Sequence, residues 1–151
     1  AIDTVPLDFA KIPTKEDLEK QAQSPGKYEQ DHAKMLLEEL EKTGNIRISY
    51  PYLAQVVRFG NDLTLIALSG EATVDYSLRL KRELAGPPVW VAGYCNDVFG
   101  YLPSRRVLEE GGYEAFHSAG FYGLPGGFAL TIEEAVVGKV QELVGQLEIK
   151  N

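Results

Sequence analysis

The sequence predicts an α/β fold: a mixed sheet with a β-hairpin and a βαβ crossover, flanked by helices and preceded by a helical hairpin. Three observations carry this reading. Ala54 to Phe59 and Leu63 to Leu68 are two apolar-rich runs joined by Gly60-Asn61-Asp62, a tight-turn composition. Leu63 to Leu68 and Val89 to Gly93 are short apolar runs separated by a segment of helix length, the pattern of parallel strands joined by a crossover helix. Ile132 to Leu147 repeats its apolar residues with helical spacing.

Taken in order, residues 1–13 have no helical period and contain Pro6 and Pro13, so they read as a linker or extended arm. Residues 14–44 read as a helical hairpin. Thr14 ahead of Glu16 and Asp17 is an N-cap signal for a helix over 15–23. Ser24-Pro25-Gly26 breaks it. Ala33, Leu36, Leu37 and Leu40 then mark a second helix from Tyr28 to Lys42, ended by Gly44. The hairpin is rich in charge and is expected to be a peripheral cap, with His32 facing solvent.

Residues 45–151 form the α/β region. Leu63 to Leu68 is nearly all apolar, as expected of a strand buried on both faces. Thr73 to Leu84 reads as a helix stopped by Gly86-Pro87-Pro88. Ligands of such crossovers gather beyond the carboxyl ends of the strands, which puts Glu71 and Asn96 on one rim. Residues 95–130 hold Gly100, Gly111, Gly112, Gly120, Gly123, Gly126 and Gly127 among many aromatics. So long and irregular a segment points to function, with a short helix from Ser104 to Glu110 inside it. In the last helix Ile132, Val136, Val140, Leu143 and Leu147 form the buried stripe. Thr131 with Glu134 resembles a capping box at its start.

Bulk properties narrow the function. A chain of 151 residues, 44% hydrophobic and 25% charged, builds one domain with a real core. Its net charge of −7 argues against a nucleic-acid partner, which needs clustered cations. Cys95 is the single cysteine, so neither an internal disulfide nor a Cys-rich zinc knuckle is available. No apolar run approaches the ~20 residues of a membrane span. The chain begins Ala1-Ile2-Asp3 without an initiator Met and reads as a processed or excised piece of something longer.

Two parts of the sequence stand out as candidate chemistry. Glu71 follows an apolar run and the small-residue turn Ser69-Gly70, where a carboxylate serves either a helix dipole or a ligand. Tyr101 and Tyr113 lie in glycine-rich polar-aromatic segments. Gly123-Leu124-Pro125-Gly126-Gly127 lacks the Lys-Ser/Thr of a phosphate loop.

The ordered series Gly70-Glu71, Gly93-x-x-Asn96, Tyr101, Tyr113-Glu114 and Tyr122-Gly123 resembles the neutral/alkaline (non-lysosomal) ceramidase family. It is most similar to the shorter bacterial members of that superfamily. Segments 49–52, 58–65 and 101–114 carry the likeness, which covers roughly residues 45–147. The resemblance implies a zinc-dependent amidase acting on a small amide or lipid-like substrate. It implies Glu71 and Tyr101 as zinc ligands, two histidines from an N-terminal half as the others, and Tyr113 as the catalytic residue close to the reacting carbonyl. Neither His32 nor His117 lies in a matching motif. The chain is therefore expected to be the C-terminal part of a larger catalytic domain, inactive alone, whose partner is the upstream half of the same protein. A secreted or periplasmic full-length protein is the expectation for compartment. An apolar surface left by the absent half would favour homo-oligomers. Where family members carry a Tyr- and Glu-rich stretch, this chain has Pro103-Ser104-Arg105-Arg106. Arg105 and Arg106, with Asn96, are thus substrate-binding candidates suited to an anionic or polar amide. The alternative reading is a metal-free binding domain with a polar, arginine-lined pocket.

Overall fold

The computed structural model describes residues 1–147. Its elements are β1 (Ile2–Asp8), α1 (Lys15–Gln21), α2 (Lys27–Thr43), β2 (Ser49–Phe59), β3 (Leu63–Leu68), β4 (Glu71–Ala72), α3 (Val74–Glu83), β5 (Val89–Ala92), β6 (Tyr101–Leu102), α4 (Arg105–Glu110) and α5 (Ile132–Gln146). A π-helical turn at Tyr113–His117 and a 3₁₀ turn at Ala119–Tyr122 lie between α4 and α5. The main sheet has the order β1-β2-β3-β5, and β4 and β6 form a separate two-stranded ladder. β1–β2 and β2–β3 are antiparallel and β3–β5 is parallel. The fold is α/β with the hairpin and the parallel crossover that the sequence predicts.

Residues 1–13 depart from the linker reading. Ile2–Asp8 is an edge strand paired with β2 from Ile2↔Gln55 to Asp8↔Ser49. Pro6 masks it in the sequence, because proline cannot donate to a ladder. In the fold Pro6 lies opposite Pro51, so the two missing donors coincide in register. β3 pairs with β2 only from Ala54 onward, which leaves Pro51 no second neighbour to disappoint. Leu7 is fully buried and Phe9 stacks on Phe128, so the arm belongs to the core.

One face of the sheet carries that core. Tyr52, Ala54 and Val56 of β2 and Ile66 and Leu68 of β3 are fully buried. α5 packs on this face against β1 and β2 through Ile132, Val136, Val140 and Leu143. Each such side chain contributes roughly 1.5–3 kcal/mol by leaving water. The opposite face is open, contrary to the expectation that β3 is buried on both sides. Val57, Leu65 and Trp90 lie side by side across three strands on it, and Trp90 is 60% exposed. Phe59 and Ile2 are exposed as well.

The helix ends separate two similar sequence signals. Thr14 forms a complete capping box with Asp17. Thr131 forms none, and its backbone is already helical. Glu134, its expected partner, is instead held by the Arg79 guanidinium at 2.7 and 2.8 Å. Gly44 ends α2 in the left-handed conformation at φ 78°, as its position predicts.

Candidate functional site

The candidate site is built where the chain leaves β3. Gly70 turns there with φ 70°, and a Cβ at this position would lie 2.7 Å from the Gly100 carbonyl oxygen. Only glycine permits so close an approach. The Gly70 N–H donates to the Asp97 carbonyl and the Glu71 N–H to the Gly100 carbonyl, both at 2.8 Å. These bonds align β4 with β6 in parallel, with Glu71 directly opposite Tyr101. The two residues meet from segments thirty positions apart because a single ladder sets their register.

The Glu71 carboxylate accepts from the Tyr94 hydroxyl on Oε2 at 2.7 Å and from the Tyr122 hydroxyl on Oε1 at 2.8 Å. Tyr101 packs edge-to-face against Tyr113, with ring centroids 5.8 Å apart. One carboxylate thus meets phenols from three segments, Tyr94, Tyr101 and Tyr122, with Tyr113 packed behind Tyr101. The hydroxyl donors, Tyr94 first and then Tyr122, hold the Glu71 carboxyl below its ordinary range, against a smaller opposing effect of burial. Tyr122 is pushed up to about 12, chiefly by its hydrogen bond to Glu71. Tyr94 is raised for the same first reason, and Tyr101 is raised first by burial and then by the Glu71 charge. Near neutral pH Glu71 is therefore a charged carboxylate and Tyr94, Tyr101 and Tyr122 keep their protons.

Local backbone aims these groups. Tyr94 and Asn96 have φ of 57° and 64°, the left-handed region that residues other than glycine seldom occupy. The Tyr94 N–H donates to the Gly70 carbonyl and the Cys95 N–H to the Leu68 carbonyl, which pins this turn to the end of β3. Strain held in place by neighbouring bonds is a common mark of functional loops. Asp97 accepts a short hydrogen bond from the Tyr50 hydroxyl, and Tyr50 is pushed up to about 12, first by burial and then by Asp97.

The predicted site residues divide. Glu71, Tyr101 and Tyr113 are brought together. Asn96 sits on the same rim, but its side-chain amide donates to Gln55 at 3.3 Å and not toward Glu71. Arg105 pairs with Glu109, while Arg106 pairs with both Asp75 and Glu110. Both guanidiniums are paired with carboxylates on the exposed surface of α4. Tyr94 and Tyr122, absent from the candidates read in the sequence, are the direct partners of Glu71. Their signal was adjacency to glycine: Gly93-Tyr94 and Tyr122-Gly123 both lie within the series that carries the family likeness.

The helical hairpin also has a different place from the peripheral cap expected of it. Tyr28 of α2 stacks on Phe121 with ring centroids 4.4 Å apart. His32 is half-buried, and its Nε2 donates to the Leu124 carbonyl at 2.9 Å, so it does not simply face solvent. The Met35 side chain lies against Gly123, and Arg47 donates to the Gly123 carbonyl. α2 and the chain just beyond it thus hold the segment that presents Tyr122.

Glu71 and Tyr101 offer oxygen donors of the kind zinc accepts. Among the described residues no group of three or more His, Cys, Asp or Glu side chains is gathered for a metal ion. No helix of the described residues is long and apolar enough to cross a membrane. Compared with known proteins, the chain matches no family model, no curated protein and no solved structure.

Proposed function

We propose that this chain is the C-terminal part of a zinc-dependent amide hydrolase resembling the neutral ceramidases, supplying one side of its active site. The observation that carries the reading is the register of Glu71 with Tyr101, with Tyr113 packed against the Tyr101 ring. The resemblance assigns roles to these three residues, and they lie together although they come from separate segments. The open sheet face supports the same reading. The exposed row of Val57, Leu65 and Trp90 is an apolar surface that an upstream half would cover.

Bound zinc supplies a water of pKa near ~7 and draws charge from an amide carbonyl. Glu71 and Tyr101 would be two of its ligands, and two histidines of the upstream half the others. Tyr94 and Tyr122 keep the Glu71 carboxylate charged and oriented. Tyr113, whose ring packs against Tyr101, would donate its hydroxyl to the oxygen of a reacting carbonyl.

The test is zinc content and N-acyl amide hydrolysis of the chain joined to its upstream sequence. The expected result is one zinc per chain, with both zinc and activity lost in Glu71→Ala and strongly reduced in Tyr101→Phe. The isolated chain is expected to hold zinc weakly and to be inactive. A joined protein that keeps stoichiometric zinc in both variants would sink the proposal.

A further inference from the structure

The turn that carries Tyr94 is built on an unfavourable backbone. The Asp97 N–H donates to the Cys95 carbonyl at 2.7 Å across Asn96, whose φ is 64°. A three-residue turn with a positive central φ is the rare, strained γ form, which persists only where its surroundings hold it. Two side chains of β2 supply that hold, and by strand parity they come from opposite faces of the sheet. Tyr50 has the parity of Tyr52, Ala54 and Val56 on the core face. Its hydroxyl donates to the Asp97 carboxylate, and its ring stacks on Phe99 with centroids 4.5 Å apart. Gln55 has the opposite parity, and its Oε1 accepts from the Asn96 side-chain amide at 3.3 Å.

Asp97 connects this hold to Glu71. Its carboxylate accepts from Tyr50, while its main-chain carbonyl accepts from the Gly70 N–H at 2.8 Å. Gly70 immediately precedes Glu71, whose own N–H is bonded to the Gly100 carbonyl. Phe99 joins the same contacts from below. It carries the Tyr50 ring and borders Gly70, where an added Cβ would stand 2.8 Å from it. Tyr52, on the same strand and face, is a built-in contrast. Its ring also meets Phe99, edge-on, but its buried hydroxyl makes no hydrogen bond among the described residues.

We propose that Tyr50 and Asp97 are positioning residues of the Glu71 site, fixing the Gly70–Glu71 backbone through the Asp97 carbonyl. Their service to a metal ligand rests on the zinc reading; the link from Tyr50 to Gly70 does not. The test is NMR of the whole chain, reading the scalar coupling across the hydrogen bond from the Gly70 N–H to the Asp97 carbonyl. That coupling reports the folded state whatever its stability. Tyr50→Phe keeps the ring on Phe99 and removes only the hydroxyl, and the coupling is expected to weaken. Tyr52→Phe removes an unpartnered hydroxyl and should leave it unchanged. Asp97→Asn retains an acceptor oxygen and should preserve it, whereas Asp97→Ala should weaken it, a comparison that stands even if Tyr50→Phe fails to fold. An undiminished coupling in Tyr50→Phe or Asp97→Ala, or an equal loss in Tyr52→Phe, would overturn the proposal. In the chain joined to its upstream sequence, Tyr50→Phe is expected to weaken zinc binding roughly tenfold, the scale on which residues behind a metal ligand act. Unchanged zinc affinity in that protein would overturn the positioning role. A joined protein that binds no zinc would defeat the zinc reading alone, and the Gly70 coupling would still decide whether Tyr50 and Asp97 fix the Glu71 backbone.

Discussion

Replacing Gly70 by alanine tests whether the turn after β3 sets the Glu71–Tyr101 register. Two costs add. A residue with a Cβ in the left-handed region costs roughly 1–2 kcal/mol, offset by about 0.4–1 kcal/mol from the stiffer unfolded chain. The new Cβ would also lie 2.7 Å from the Gly100 oxygen and 2.8 Å from the Phe99 ring. Relieving that overlap costs typically ~1–3 kcal/mol. The expected loss is therefore about 2–4 kcal/mol, a fall of roughly 5–15 °C in Tm for a chain of this size. Gly60→Ala is the internal control, because Gly60 has φ 53° but nothing within 4 Å of its would-be Cβ. It should lose only the backbone part, about 1 kcal/mol. The assay is urea unfolding of both variants by circular dichroism, with equal slopes required before energies are compared. Equal losses in the two variants would refute the reasoning, because the contact with Gly100 would then have no energetic weight.

Other consequences can be measured on the same material. Tyr94→Phe with Tyr122→Phe should bring the Glu71 carboxyl back up toward its ordinary pKa, followed by carboxyl-carbon NMR, since those two hydroxyls are the largest causes of its depression. Because the folded value is depressed, any stability carried by Glu71 is present above the ordinary carboxylate range and lost as pH falls; the double variant should weaken that acid dependence. Tyr50 runs the other way: with its folded pKa pushed up to about 12, its contribution is intact below pH ~10 and lost as pH rises toward 12. Asp97→Asn should lower the Tyr50 titration seen in ultraviolet absorbance but leave it above 10, because burial is the larger cause. Thr14→Ala should cost about 1 kcal/mol and Thr131→Ala almost nothing in thermal unfolding, because only Thr14 makes its capping bonds.

What the sequence revealed depended on whether local chemistry decided the outcome. Leu63 to Leu68, Gly44, the Thr14 N-cap of α1 and the α5 stripe were legible because period, glycine and capping oxygen act within a few residues. β1 was not, because Pro6 is a breaker in isolation and is harmless on an edge strand at a position whose nitrogen faces away from β2, a placement that no local signal announces. Thr131-x-x-Glu134 met the local rule and lost to a distant competitor: Arg79 offers Glu134 a two-pronged charged pairing, where the cap offers one backbone N–H. The open face of β3 could not be read at all. An apolar run states that burial is favourable without saying what provides it.

The candidate site shows the same division one level up. Glu71, Tyr101 and Tyr113 could be selected from the sequence because spacing and the family likeness single them out, whereas adjacency to glycine, the one local signal of Tyr94 and Tyr122, does not by itself say that they reach Glu71. Their role follows from where two separate supports deliver them. Tyr94 reaches Glu71 because a left-handed turn is bonded to the end of β3. Tyr122 reaches it because the 3₁₀ turn is gripped from outside by Tyr28, His32, Met35 and Arg47. The charge-rich hairpin, which by composition reads as a cap, is thereby mechanically continuous with the carboxylate. Two units support the turn that presents Tyr122: the main core, which holds Ala119 and Leu124 on either side of it, and the hairpin cluster of Leu18, Ala33, Leu36 and Ile46, which carries the α2 residues bracing it from outside. Loosening either unit should move a phenol away from Glu71 without touching the residue itself.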